Sequence, residues 1–287
     1  MVAIFRYTLR RFRGQILGWG LALFLVVLLI VGIYDSIGWQ AAELEQLLAS
    51  YPPELMAFFS ASGSMLSLFT AEGFVSMEFF SFMPVVLGIF AVLMGSGLLA
   101  SDEEKGTLDL IMAHPVSRSA LFMGRLLALV TATVGILAIA WLGFVVSMNW
   151  SSMDIGLGRM WLPLLSLLAV LLVFGTLALL LSMVLPSRRL AASVSGLLLV
   201  ASFFVTGLAR INEDLETLAR LLPLNYYQTE EAFHQFNVQW FAGLLVVAAL
   251  LAVLAWWRFQ RRDIRVGGEG GWRLPSLPFR RRAGAGS

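Results

Sequence analysis

The residues best placed to do chemistry lie together, in the run Ser101-Asp-Glu-Glu-Lys-Gly-Thr-Leu-Asp-Leu-Ile-Met-Ala-His-Pro-Val-Ser-Arg-Ser119 between two long apolar stretches. Acids, a glycine and then a largely apolar stretch interrupted by Asp109 suit docking better than bond making. Ser101 and Glu104 have the spacing of a capping box, and Thr107 is placed to cap a second short helix with Asp109 in its first turn. Pro115 favours ending that helix near His114. Leu108, Leu110, Ile111 and Met112 leave the helix unusually apolar for a loop facing water. Such a helix either lays its apolar face into a partner's groove or tucks back against the bilayer and the neighbouring spans, and the pattern leaves both readings open.

Other chemistries find no support. The chain has no cysteine, which removes disulfides, thiolate metal sites and cysteine nucleophiles together. His114 and His234 fall in loops expected on opposite sides of a membrane, so they cannot share a metal ion. No Ser/His/Asp set can gather in one compartment. The phosphate-loop pattern GxxxxGK[ST] is absent, since Lys105 follows Glu104 rather than glycine, and ATP is not expected to bind this chain.

The elements that must hold the run in place are membrane helices. Hydrophobic residues make up 59% of the 287 and charged residues 13%, far from the roughly 45–50% and 25% of soluble domains. A bilayer core about 30 Å thick needs roughly 20 apolar residues in helix. Six segments qualify, at about 16–34, 79–100, 121–148, 161–185, 190–208 and 238–257, and Arg125 is the only charged residue inside them. With the amino terminus placed in the cytoplasm, 17 of the 20 basic residues lie inside, and only Arg159, Arg210 and Arg220 lie outside. The outer loop from Asp35 to Glu78 carries six acids and no basic residue. The positive-inside rule therefore puts both termini in the cytoplasm, in a multi-pass protein of the inner, or plasma, membrane. Arg125, one turn into the third span, is expected to snorkel to the cytoplasmic face. The hydroxyls of the spans, including Thr133, Ser147, Thr176, Ser195, Ser202 and Thr206, are expected to bond backbone carbonyls or to pack between helices.

Before the first span, Val2, Phe5, Leu9 and Phe12 recur at helical spacing beside a stripe of Arg6, Arg10 and Arg13, which describes an amphipathic interfacial helix over residues 1–14. A single membrane domain spans residues 1–265, and the Gly- and Pro-containing tail 266–287 is expected to be a flexible cytoplasmic segment. The arginines from Arg258 to the end at Ser287, interleaved with Trp257, Trp272 and Phe279, read as an anchor on membrane lipid, not as a nucleic-acid site. On the outer side, Ile211, Leu215, Leu218 and Leu222 share one face, and a short amphipathic helix is expected over 211–222.

The run Glu104-Lys-Gly-Thr-Leu-Asp-Leu-Ile-Met-Ala-His-Pro-Val-Ser-Arg118 resembles the signature of the type 2 ATP-binding-cassette (ABC) permease family, in which an acid, Gly-Thr-Leu, apolar residues and a Pro-Val-Ser-Arg-like tail follow the second span. The resemblance extends to the basic first helix, the six spans, Tyr51-Pro-Pro-Glu54, Ala71-Glu-Gly-Phe74 and Pro223-Leu-Asn-Tyr-Tyr227. It implies an all-α membrane fold of six spans with a cytoplasmic coupling helix between the second and third. It further implies that Glu103, Glu104, Gly106, Thr107, Leu108, Leu110, Ile111, Pro115 and Arg118 form the contact with a separate ATPase subunit. ATP and Mg would then belong to that subunit, present in two copies beside a second permease copy, most simply a homodimer. The chain is expected to be a transport subunit and no enzyme, with no cofactor or metal of its own. Closure of the ATPases would push the coupling helices, and the first, second and fifth spans would open a path outward. Nearly charge-free spans favour export of an apolar or amphiphilic substrate such as a drug, antibiotic or lipid-like molecule. The alternative is an ABC-type membrane subunit that remodels or supports a partner outside the cytoplasm without moving a solute. Gly14 with Gly18, and Gly95 with Gly97, are the small residues where two copies could approach closely.

Overall fold

The computed structural model describes residues 1–49, 70–113 and 116–261, and the side chains of all of these except 37–49 and 109–110. Pro115 and His114, the side chain of Leu110, the Tyr51-Pro-Pro-Glu54 motif and the tail 266–287 lie outside that description. Among the described residues the chain is all helical, with six helices long and apolar enough to cross a membrane. They are Val2–Ala49, a second span assembled from Ala71–Val75, Ser76–Phe80 and Met83–Gly97, then Arg118–Ser147, Leu157–Val184, Arg188–Ala209 and Val238–Arg261.

The first helix departs from the expected pattern at both ends. No break separates residues 1–14 from the first span, so the amphipathic segment is the start of one continuous helix rather than a separate interfacial one. Part of its apolar stripe rests on protein: Phe12 is buried and Phe5, with neighbouring Ile4, packs against the core, while Val2, Arg6, Arg10 and Arg13 are exposed. At the other end the helix runs on to Ala49, past the expected exit near residue 34. Residues 39–49 are dominated by Ala, Glu, Gln and Leu, good helix formers, and no proline interrupts them before Pro52.

Interior packing rests on backbone proximity. A Cβ at Gly95 would collide with the carbonyl of Gly175, so the second and fourth spans meet backbone to backbone. The first and third spans approach in the same way, where a Cβ on Gly143 would come within 3.3 Å of the Phe24 backbone and one on Gly20 would strike Ile139. Without water to drive helices together in lipid, such small residues let dispersion contacts do so. Gly95 is therefore spent on packing within the subunit, as is Gly97 against the Arg188 guanidinium, and neither is free for a seam between copies. Gly14 and Gly18 face open space.

The second span is irregular because it contains a π turn, Ser76–Phe80, closed by the Ser81 N–H donating to the Ser76 carbonyl at 2.9 Å. Aromatic rings fill this end of the bundle, with Phe79, Phe80 and Phe144 at centroid separations of 5.1 to 6.4 Å and Phe233 6.1 Å from Phe80. The Phe80 carbonyl, beside the break, accepts from the Tyr227 hydroxyl at 3.0 Å. This gives the Pro223-Leu-Asn-Tyr-Tyr227 motif a structural task, since a carbonyl left unsatisfied at membrane depth is costly. Asp35 ties the first helix to the loop after the third span, accepting from the Ser151 and Ser152 hydroxyls at 2.8 Å. The expected helix over 211–222 is shorter, a turn at Glu213–Leu215 leading into Glu216–Ala219. Ala219 is its buried residue, and Ile211 and Leu218 point away.

Candidate functional site

The segment between the second and third spans folds into two short helices, Ala100–Glu104 and Leu108–Met112. What joins them is a helix C-cap built on Gly106. The Thr107 N–H donates to the Asp102 carbonyl at 2.9 Å and the Gly106 N–H to the Glu103 carbonyl at 3.1 Å, the paired bonds of a Schellman motif. Gly106 has φ 67°, the only positive φ among the described residues, a conformation that costs any residue with a Cβ. Thr107 then starts the second helix: its carbonyl accepts from the Ile111 N–H at 3.3 Å, while its hydroxyl turns back to donate to the Asp102 carbonyl at 3.2 Å. Ser101 does not cap the first helix as its spacing suggests, because the helix begins a residue earlier and Ser101 lies within its first turn.

Asp102 is the hub of the segment. Its carboxylate accepts from Arg11 of the first helix at 2.9 Å and lies 2.6 Å from the Arg125 guanidinium of the third span. Burial alone would raise the Asp102 carboxyl, but hydrogen bonds and charge from Arg11 and Arg125 outweigh it and hold the group below its ordinary value. Arg125 is 3% exposed. It also donates to the Leu98 carbonyl at 2.6 Å, where the second span ends and the next helix has not yet begun. The expectation that Arg125 snorkels to the surface is therefore wrong. The side chain turns inward because a carboxylate and a freed carbonyl lie there at the same depth.

Two further contacts brace the segment against the last two spans. Glu104, exposed, accepts from the Arg188 backbone N–H at 2.9 Å, at the first residue of the fifth span. Arg188 in turn reaches the Ser101 hydroxyl at 3.3 Å. At the far end, Arg118 donates to the carbonyls of Phe259 and Gln260, both at 3.3 Å, satisfying orphan acceptors in the last turn of the sixth span. Ser119 next to it meets the Trp256 indole at 3.3 Å.

The described side chains of the apolar helix bear on the two readings left open for it. Leu108 is 2% exposed and belongs to the bundle's main hydrophobic core, and Ile111 and Met112 are partly buried against the same core. Leu108 thus packs inward, against the neighbouring spans. Among the described side chains of the segment Glu104, Lys105, Ala113 and Ser117 are exposed, with Glu103, Gly106 and Thr107 half-buried. Sequence reasoning missed Asp102, Arg11, Arg125 and Arg188 as one polar cluster. The signal was available: a lone arginine inside a span needs an acid at its own depth, and Asp102 follows the end of the preceding span by five residues.

The hydroxyls divide. Thr133, Ser147, Thr176 and Ser182 donate to carbonyls three or four residues back, as expected. Ser195, Ser202 and Thr206, all on the fifth span, are buried without a hydrogen-bond partner among the described residues. At the opposite end of the bundle, a cavity of about 330 Å³ opens between the start of the second span and the end of the fifth, walled by Pro84, Phe203, Leu208 and Leu224 with Thr206 and Arg210 among its polar groups.

No curated protein matches this sequence. Residues 2–264 match the family described as ABC-2 family transporter protein. With six apolar helices threaded through nearly all of the matched length, the chain belongs to the ABC-2 transporter family as a multi-pass membrane subunit.

Proposed function

We propose that this chain is the membrane-spanning subunit of an ATP-driven exporter, in which two copies pair and two copies of a separate ATPase dock beneath residues 103–118. ATP and Mg would be held by the ATPase, and this chain would supply the surface it pushes. One observation carries the reading. The segment is tied by polar contacts to the first span through Arg11, the third through Arg125, the fifth through Glu104 and Arg188, and the sixth through Arg118. A load applied to its exposed residues therefore reaches four spans at once. Leu108 transmits that load to the core instead of contacting the ATPase, and Glu104, Lys105 and Ala113 meet the ATPase.

With the arginine-rich end in the cytoplasm, the cavity at the opposite end faces outward. Its apolar walls with a few polar groups suit an amphiphilic substrate, and the interior charge of Arg125 is already neutralised by Asp102. Because the chain lacks cysteine, single cysteines at Glu104 and Ala113 provide a direct test. In membranes containing the ATPase, both should crosslink to it, whereas a cysteine at Trp150 at the other end should not. Native mass measurement of the purified complex should give two permeases with two ATPases. Absence of any ATPase crosslink at both positions, or a complex with one permease chain, would end this reading; full coupling without solute movement would favour the partner-remodelling alternative.

A further inference from the structure

A cavity of about 400 Å³ opens between the first helix, the end of the second span and the start of the fifth, separate from the cavity at the opposite end of the bundle. Its volume lies within the range of small-molecule sites. The charged groups that line it are Arg11, Lys105, Arg125, Arg188 and a single acid, Asp102. Asp102 is already shared between Arg11 and Arg125. The Arg188 guanidinium has only neutral acceptors, the Ser101 hydroxyl at 3.3 Å and the Leu93 carbonyl at 3.4 Å. The Lys105 ammonium makes no hydrogen bond or ion pair among the described residues. Among the groups that line this concave space, one carboxylate faces four cations.

That excess is built into the fold, not scattered over a surface. Asp102 and Arg125 are held rigidly at the floor of the cavity, with side chains only 7% and 4% exposed. Lys105 stands on the turn that Gly106 fixes, and Arg188 is pinned by its own backbone bond to Glu104. Fixed guanidinium groups match the oxygens of a phosphate, which accepts several charge-assisted hydrogen bonds at once. The depth is suitable too. The cavity opens where the second span ends at Gly97 and the fifth begins at Arg188, the level at which lipid headgroups lie, and basic pockets between membrane helices recognise anionic headgroups there.

We propose that this cavity binds a phosphate-bearing anion, with Lys105 and Arg188 as the ligands left free by the internal ion pairs. The phosphate could belong to an anionic lipid headgroup or to a soluble phosphate compound. The test uses purified full-length protein in neutral detergent, following its thermal unfolding temperature during titration with phosphatidylglycerol, phosphatidylcholine or inorganic phosphate. Phosphatidylglycerol should raise the temperature saturably and phosphatidylcholine should not. Lys105→Gln and Arg188→Gln should each weaken the apparent affinity about tenfold or more, the effect of losing one charged hydrogen bond. Arg159→Gln, an exposed basic site on the fourth span outside the cavity, should leave it unchanged. Saturation by inorganic phosphate with the same dependence on Lys105 and Arg188 would support the site and assign it to a soluble phosphate compound. No saturable shift with either anion, wild-type affinity in both cavity variants, or an equal loss in Arg159→Gln would overturn the proposal. Lys105 is exposed and makes no contact that folding needs, so its variant remains informative should Arg188→Gln fold poorly.

Discussion

Replacing Asp102 with asparagine removes the charge but keeps the shape, and the structure sets what should follow. Arg125 has one anionic partner, 2.6 Å away, and a side chain 4% exposed; without Asp102 it is a buried cation with only the Leu98 carbonyl to answer it. Removing one member of a buried ion pair costs about 3–5 kcal/mol. The reverse substitution, Arg125→Met, is milder, because Asp102 keeps Arg11, whose side chain is 42% exposed and in contact with solvent; about 1–2 kcal/mol is expected there, near the value of a charged hydrogen bond. Removing both partners as Asp102→Leu with Arg125→Met should recover most of the loss, since apolar replacements of a buried pair are often neutral or better. Unfolding of the purified chain in mixed micelles by increasing denaturing detergent, followed by tryptophan fluorescence, gives the three free energies on one scale. The reasoning fails if Asp102→Asn costs less than Arg125→Met, or if the double variant is no more stable than Asp102→Asn.

Four other outcomes are expected. Leu108→Ala should lose about 2–5 kcal/mol in the same assay, as for other large core residues; unchanged stability with lost ATPase coupling would instead place Leu108 at the partner. Gly106→Ala should cost about 1–2 kcal/mol for the left-handed backbone, and Gly106→Pro more, because proline also lacks the N–H that bonds the Glu103 carbonyl; equal stability in circular-dichroism melts would contradict the C-cap. Gly95→Leu should yield no folded monomer on size exclusion, since its side chain would occupy the Gly175 carbonyl. With its carboxyl held below the ordinary value of 3.8, Asp102 contributes stability that is complete above that pH and is lost only as pH falls through its lower folded value. Unfolding curves at pH 5 and 7 should therefore show no contribution from Asp102 titration, and the fall below pH 4 should be smaller in Asp102→Asn.

Six spans could be read from the sequence because lipid demands long apolar helices and little else satisfies that demand. Their ends were less legible. The first helix outruns its apolar stretch at both ends, since a helix ends where its backbone bonds end and not where hydrophobicity does. The second span starts some eight residues before the point that hydropathy picks, because its first turns, with Glu72 and Glu78, are held by the Thr70 cap and the π turn rather than by apolar content. The segment from 101 to 118 was legible as a place, through Gly106, Thr107 and the apolar run, yet the direction each side chain faces was not. Leu108 and Ile111 look alike in sequence, and only the fold around them decides which is buried and which is shared with the surface. The ion pairs of Asp102 with Arg11 and Arg125 draw on three helices, with residues 23 to 114 apart along the chain, a separation that no local pattern records.

That separation also sets an order of events. Arg11 is synthesised 91 residues before Asp102, and Arg125 comes later still. At about 5–20 residues per second, the first helix waits roughly 5–18 s for its acidic partner. During that wait it must stay in the bilayer on its own, with Arg11 held at the headgroups by water and lipid. Its apolar stretch is the most hydrophobic of the six, so the helix that must hold its place longest without a neighbour is also the one that lipid retains most strongly.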